Sequence, residues 1–405
     1  MLSIKPRRSF TIFALTLLAY GLRAGSMLQT PSLAPYFLNL ADAFLHGATH
    51  IDIPPAWGYD LIRYHDKWYV AQQPLPALLL MPVIAILGIN RVSDVTFGVL
   101  CGALSVMLAD HILRVTTPDL TIGRRNLLIV FLALGTVHHS LSVMGTVWFL
   151  GQIVTIMFVW ILIWAAWRSQ PLWAGVSLGL ILLGRPSIVP GALLFAVSTW
   201  HLCHPRASCQ CRITFLTRFF IPFTAAVVFL GWYNCVRFGS PLETGYAYIQ
   251  EAPDIKQRFL HYGNFSFAFL PENMFIATIK PPLIHLHCLS QSCPIFEPHP
   301  LGMGLIWTSP VLLYGLLMFR QKEREHKQNL LLAVSTGLAL LPSLLYHNPG
   351  SAQFGYRFLL DGLPFWMILV ARGVRNQSRY GLAVLVIFCV IVNEWGTSWL
   401  IKFIT

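Results

Sequence analysis

Long apolar runs limit this chain more than any other feature. They are Phe10–Leu28, Pro74–Ile89, Ser93–Leu113, Asn126–Val143, Thr146–Trp167, Pro171–Leu183, Ser187–Leu202, Phe219–Val236, Leu301–Phe319, Asn329–His347, Arg357–Ala371 and Tyr380–Leu400. About 20 apolar residues cross the roughly 30 Å of hydrocarbon in a bilayer, and most of these runs approach that length. Inside lipid the backbone has no water to bond, so such segments must satisfy themselves as helices. Hydrophobic residues make up 56% of the 405 positions and charged ones 11%, too little polar surface for a soluble domain of this size. The expectation is an all-α polytopic membrane protein, a single integral membrane domain over 1–405.

One run stands apart. Pro74–Ile89 contains Pro74, Pro76 and Pro82, and at roughly 1.5 Å per residue it reaches only about 24 Å, with Pro82 kinking it. The positive-inside rule decides its fate. If 74–89 lies along the interface, the short loops holding Arg114, Arg124, Arg168, Arg206, Arg320 and Arg372 all face the cytoplasm, with most of the 28 basic residues. If it crosses, those clusters face outward. The reading is therefore about eleven transmembrane helices plus one interfacial helix, amino terminus inside and carboxyl terminus outside. Phe10–Leu28 reads as a retained anchor, since its apolar stretch is long for a signal sequence. The net charge of +12 is then the cytoplasmic excess of a membrane protein. No basic block with interleaved aromatics is present, and no nucleic-acid partner is expected.

This topology gathers the acidic residues outside. The first outward loop, 29–73, holds Asp42, Asp52, Asp60 and Asp66; the second, 237–300, holds Glu243, Glu251, Asp254, Glu272 and Glu297. Long loops on a rigid scaffold are where function concentrates. Trp57, Tyr64, Trp68 and Tyr246 in these loops suit stacking on sugar rings, or anchoring at headgroup level. Arg185 with Pro186 breaks an apolar stretch near the outer surface, where an outward turn with a snorkelling arginine is one reading. His201, Cys203, His204, Cys209 and Cys211 share a loop, but their spacing fits no zinc motif. Cys288 and Cys293 lie outside, where a small disulfide-closed loop can form.

Several stretches together resemble a known class. They are Leu40-Ala41-Asp42-Ala43-Phe44-Leu45-His46-Gly47, Tyr64-His65-Asp66-Lys67-Trp68-Tyr69 and Gln73-Pro74-Leu75-Pro76, then Gly145-Thr146-Val147-Trp148-Phe149 and Gly184-Arg185-Pro186. Tyr233-Asn234-Cys235-Val236-Arg237-Phe238-Gly239-Ser240-Pro241 and Phe354-Gly355-Tyr356-Arg357-Phe358-Leu359-Leu360-Asp361 complete the set. In order and spacing the chain resembles the GT-C class of integral membrane glycosyltransferases, especially bacterial proteins similar to the protein-mannosyltransferase-like branch. The resemblance implies a GT-C-like fold in a bacterial inner membrane, active face outward. It implies sugar transfer from a polyprenyl-phosphate donor to a hydroxyl of a glycan, lipid or protein acceptor.

The resemblance also implies an acidic residue of the first outward loop as base or acceptor-orienting group. The acidic pair usual in the better-known branch would fall near Leu33-Ala34, both apolar here; Asp42 is the nearest substitute, with Asp60 and Asp66 behind it. A carboxylate taking the acceptor proton contributes typically about 100- to 10,000-fold. Cations must meet the leaving lipid phosphate, and Arg357, Arg237 and Arg258 offer the planar fork suited to it, with Lys280 as a point charge. No organic cofactor is expected; a divalent cation stays open. Two rivals remain: a transporter or flippase of a lipid-linked or small polar substrate, and a noncatalytic membrane partner that has lost its base.

Overall fold

The apolar runs form helices, and proline or glycine marks many of their ends. The computed structural model describes residues 6–52, 58–286, 293–320 and 325–404. In chain order the first helices are α1 (Pro6–Ala24), α2 (Tyr36–Leu45), α3 (Leu75–Leu87), α4 (Asp94–Thr116), α5 (Ile122–Leu134), α6 (Val137–Met144), α7 (Val147–Trp167) and α8 (Pro171–Gly184). They continue as α9 (Val189–Cys203), α10 (Cys209–Phe238), α11 (Pro253–Tyr262), α12 (Leu270–Thr278), α13 (Leu305–Thr308), α14 (His326–Leu344), α15 (Leu363–Gly373) and α16 (Arg379–Ile404). Two short antiparallel hairpins interrupt them, β1 (Leu61–Tyr64) with β2 (Lys67–Val70) and β3 (Leu283–Ile284) with β4 (Phe296–Glu297). The chain packs as two units, Met1–Ile112 with Leu141–Lys256, and Leu113–Ser140 with Gln257–Thr405.

Among the described residues, six helical segments are long and apolar enough to cross a membrane, seven if one bent pair counts as a single span. This is a membrane protein by that measure, with fewer span-length helices than the eleven expected from the runs. The differences have local causes. Asn126–Val143 is not one helix: α5 and α6 meet at a 47° bend, where the Gly135 carbonyl accepts the Ser309 hydroxyl at 2.9 Å. Leu301–Phe319 becomes the single turn α13 and then a 3₁₀ helix from Pro310, whose ring nitrogen can donate no backbone bond. Arg357–Ala371 likewise splits into a 3₁₀ turn, Arg357–Gly362, and α15, which has Pro364 in its first turn. Helix α8 is 14 residues, about 21 Å long, and α3 is 13, so neither crosses unaided.

In the first unit α8 and α10 approach through glycine. A Cβ at Gly175 would overlap the Phe219 carbonyl and Pro222 ring, and one at Gly179 would press on Ala226. Small residues at this four-residue spacing let backbones close without a hydrophobic driving force, the usual device between helices in lipid. Ser208 caps α10 by accepting from the Cys211 amide at 3.3 Å, and Gly239 ends it in the left-handed region at φ 78°.

The described residues of segment 29–73 are largely structured. In the β1–β2 hairpin Ile62 pairs with Tyr69 and Arg63 with Trp68, around a two-residue turn at His65 and Asp66. Both turn residues have positive φ, 45° and 58°, as a tight hairpin turn requires. Ile62 also bridges Ile249, so the hairpin packs with Phe238 and Tyr246 around a small core of Ile62, Tyr69, Ala71, Phe238 and Ile249.

Candidate functional site

In the first unit the links 168–170, 185–188 and 204–208 are short, Gly184 meets Thr155, and Gly175 and Gly179 meet Phe219 and Ala226 in turn, so helices α7 to α10 alternate in direction. The start of α7, the end of α8, the start of α9 and the end of α10 therefore share one end of the unit. Arg168 lies at the opposite end, and so do Arg206 and Arg212. The polar end holds the candidate site.

Asp60 stands at its centre. Its carboxylate Oδ2 accepts the Trp148 indole N–H at 2.6 Å, and its backbone N–H donates to the Gln250 carbonyl at 3.0 Å. The residue sits at φ 61°, a left-handed conformation that Asp tolerates better than most side chains. Tyr36, fully buried on α2, donates its hydroxyl to the neighbouring Tyr59 carbonyl at 2.9 Å. Its ring meets Trp148 edge-on with centroids 6.3 Å apart. Two aromatic donors from two helices thus fix one turn and aim one carboxylate.

The electrostatics tie further groups to that turn. Burial first, and then the Asp60 charge, holds the Tyr36 phenol above its ordinary range, so it remains a donor at neutral pH. Burial also raises Tyr246; Arg185 acts against that rise, Asp60 and Glu251 add to it, and Arg237 opposes it. The charges of Arg185, Asp60, Glu251 and Arg237 thus all act on Tyr246. Arg185 occupies the extended link between α8 and the 3₁₀ turn that opens the next span.

The other expected acids stand elsewhere. Asp42, on α2, has His46 3.8 Å from its carboxylate and is more than a third exposed. Asp66 is at the tip of the hairpin turn, 94% exposed and 3.3 Å from Arg63. Near the place of the missing acidic pair, Ala34 is buried and its carbonyl accepts the Val147 amide at 3.2 Å. Of the stacking candidates, Tyr64 packs against Phe238 and Tyr248, with centroids 5.5 and 4.9 Å away. Trp68 lies under the Arg63 guanidinium at 5.6 Å, and Tyr246 packs beside Tyr64 on the small core. Trp57 falls outside the described residues.

Arg237 is buried as a strut. It donates to the Val70 carbonyl at 3.2 Å and to Asn234 Oδ1 at 2.8 Å, and lies 3.9 Å over the Tyr233 ring. It fastens the end of α10 to β2.

In the second unit Arg258 also ties elements together. It donates to the His347 carbonyl at 2.8 Å and to Glu272 at 2.7 Å, beneath which lies the Phe269 ring. Burial lowers Lys280, with Glu272 opposing. Burial and then Lys280 hold His299 below the ordinary imidazole range. Its Nδ1 accepts the Leu301 amide at 3.1 Å, which leaves the ring proton on Nε2. Arg357 is buried at the head of its 3₁₀ turn; its amide donates to Gln353 Oε1 at 3.2 Å, and its guanidinium lies 5.0 Å from the Phe358 ring.

Among the described residues, no three His, Cys, Asp or Glu side chains converge to hold a metal ion. Cys203, Cys209 and Cys211 are exposed free thiols, and His204 stacks on Trp200. Cys293 is disulfide-bonded, while Cys288, its expected partner, lies outside the described residues.

Sequence reasoning missed Tyr36, and it singled out Arg185 as a break near the outer surface, with a snorkelling turn as one reading. Trp148 stood within a quoted stretch, but nothing in the sequence joined it to Asp60, 88 positions earlier.

The chain matches no family model and no curated protein. Among solved structures it is similar to the apo oligosaccharyltransferase of Archaeoglobus fulgidus, with TM-score 0.49 and 13% identity. The match covers 98% of this chain and 56% of that one, so the chain spans little more than half of that protein's length.

Proposed function

We propose that this chain is a membrane glycosyltransferase with a GT-C-like fold, moving a sugar from a polyprenyl-phosphate donor to an acceptor hydroxyl. The quoted sequence stretches support the reaction class. One structural observation carries the choice of site: the Asp60 carboxylate accepts the Trp148 indole N–H at 2.6 Å. In this reading the Asp60 carboxylate takes the acceptor proton while the acceptor oxygen attacks carbon one. The bond from carbon one to the phosphate oxygen breaks, and the lipid phosphate leaves with the electron pair. Arg185 faces the charge that develops on that phosphate, where a guanidinium placed in advance is most effective.

The site end is the outward face of the bacterial inner membrane, because Arg168, Arg206 and Arg212 lie at the other end and basic loops stay in the cytoplasm. The count of about eleven crossings belongs to the same proposal, with short α8 and the 3₁₀ segments completing spans among their neighbours. Arg357, Arg258 and Lys280 of the second unit are candidates for holding the donor phosphate, and Tyr64, Trp68 and Trp57 for the sugar rings. Asp42 and Asp66 are the reserve bases.

A deletion strain should accumulate lipid-linked sugar, and wild-type protein should clear it. Asp60→Asn should leave the intermediate in place at normal protein level, while Asp42→Asn should clear it. Clearance by Asp60→Asn would remove this site from the reaction.

A second reading, a transporter, draws on the bent α5–α6 pair with His138 and His139 buried beyond the bend, since interrupted helices mark many substrate paths. Uptake of lipid-linked sugar across proteoliposomes without chemical transfer would favour it.

A further inference from the structure

Within the second unit, the β3–β4 hairpin carries large apolar side chains that the described residues leave exposed. Ile284 is 56% exposed, Leu286 71% and Phe296 56%, a dense cluster for so short a hairpin. The hairpin is braced for its size. The His285 amide donates to the Ile295 carbonyl at 2.8 Å, Cys293 is disulfide-bonded, and Glu297 accepts from both His285 Nε2 and Trp399 Nε1 at 3.0 Å. Fixing a strand pair so firmly while leaving its apolar side chains in water would be costly, so the partner is the question.

Helix α16 answers it. Val384, Ile387 and Ile391 form an outward stripe on this span, 66%, 58% and 63% exposed, at the three- and four-residue spacing of one helix face. In a membrane protein such a face meets lipid. Counting along the helix then sets the depth. From Arg379 to Trp399 it rises about 30 Å at roughly 1.5 Å per residue, one hydrocarbon thickness. Taking Arg379 at one boundary puts Trp399 at the other, where tryptophans collect among the headgroups, with Glu394 little more than one turn below it. Its indole N–H holds Glu297, so β4 is fastened at that depth.

We propose that the β3–β4 hairpin is a membrane-interface anchor, with Ile284, Leu286 and Phe296 inserted among the headgroups and upper acyl chains beside α16. The occupant of this surface is bilayer lipid. Insertion removes the apolar surface of three large side chains from water. The anchor holds the second outward segment to the bilayer plane on which a lipid-borne substrate would arrive. It stands on the membrane reading and does not depend on the proposed reaction.

The test places a photoreactive benzophenone amino acid at Leu286, at Phe296 and, as a reference within the bilayer, at Ile387. The full chain is reconstituted in bilayer discs of phosphatidylethanolamine and phosphatidylglycerol and irradiated, and adducts are read by mass spectrometry. The expected result is lipid adducts at 286 and 296 at no less than about one-fifth of the yield at 387. A lower yield, or adducts to protein in place of lipid, would overturn the proposal. Trp399→Phe removes the indole donor and keeps the ring. It should lower the lipid adduct at 286 by at least about threefold while leaving 387 unchanged; an unchanged yield at 286 would show that the indole bond does not set the hairpin's depth.

Discussion

At Asp60 three distant stretches of chain meet: the α2 helix through Tyr36, the start of α7 through Trp148, and the Gln250 strand-like segment through its carbonyl. Composition and the positive-inside pattern could say only that acids gather in the outward segments. They could not rank Asp42, Asp60 and Asp66, because ranking depends on which carboxylate the fold aims. The structure separates them by environment: Asp66 serves a hairpin turn, Asp42 lies beside His46 on a partly exposed helix, and Asp60 is held by an indole. In the proposed reaction Trp148 is accordingly a positioning residue. Trp148→Phe keeps the ring that packs on Tyr36 and deletes the donor to Asp60. It should lower kcat about tenfold, the usual scale for one lost hydrogen bond to a charged group, with KM changed less than about twofold. A rise in KM at constant kcat, measured on initial rates, would assign Trp148 to substrate binding instead.

At the scale of elements, apolar periodicity was a good guide where a helix runs unbroken. The run Thr146–Trp167 became α7, Val147–Trp167, and Ser93–Leu113 became α4, Asp94–Thr116. It was a poor guide where hydropathy continues but backbone bonding does not, as at Gly135 and Pro310. Hydropathy reports side chains, whereas those breaks are set by main-chain geometry and by Ser309 bonding across to Gly135. The α8–α10 contact offers a direct check on packing. Gly175→Ala should destabilise the folded protein by several kcal/mol, on the order of the 1–3 kcal/mol or more seen for overpacked cores, and should reduce monodisperse yield in detergent. Gly337→Ala on α14, where an added Cβ meets nothing within 4 Å, should be neutral or raise thermal stability by up to about 1 kcal/mol. Equal loss in both would contradict the close approach. The β3–β4 hairpin gives a pH prediction. The bond from Trp399, and then His285, holds the Glu297 carboxyl below its ordinary range. A depressed carboxylate stabilises the fold at pH values above its unfolded pKa, and the effect is lost as pH falls through the folded value. Amide-exchange protection of the hairpin should hold from neutral pH down to about 5 and decline only below the usual carboxylate pKa near 4.3. Glu297→Gln should remove the decline.

For the whole molecule, the apolar runs pointed to the membrane and located most helices, and the basic loops are the ground for the proposed orientation. The chemistry is a different matter, since a lipid-borne donor, an acceptor and a carboxylate must meet at one surface. The proposal puts that meeting at the end of the first unit opposite Arg168 and Arg206, where the charges of Asp60 and Arg185 both act on Tyr246. The decisive measurement is transfer by purified protein in proteoliposomes supplied with a radiolabelled polyprenyl-phosphate sugar and a panel of hydroxyl acceptors. The account predicts label moving from lipid to acceptor with wild-type protein, and a rate lower by about 100- to 10,000-fold with Asp60→Asn. Wild-type transfer left undiminished by Asp60→Asn, or label that crosses the bilayer still attached to its lipid, would contradict it.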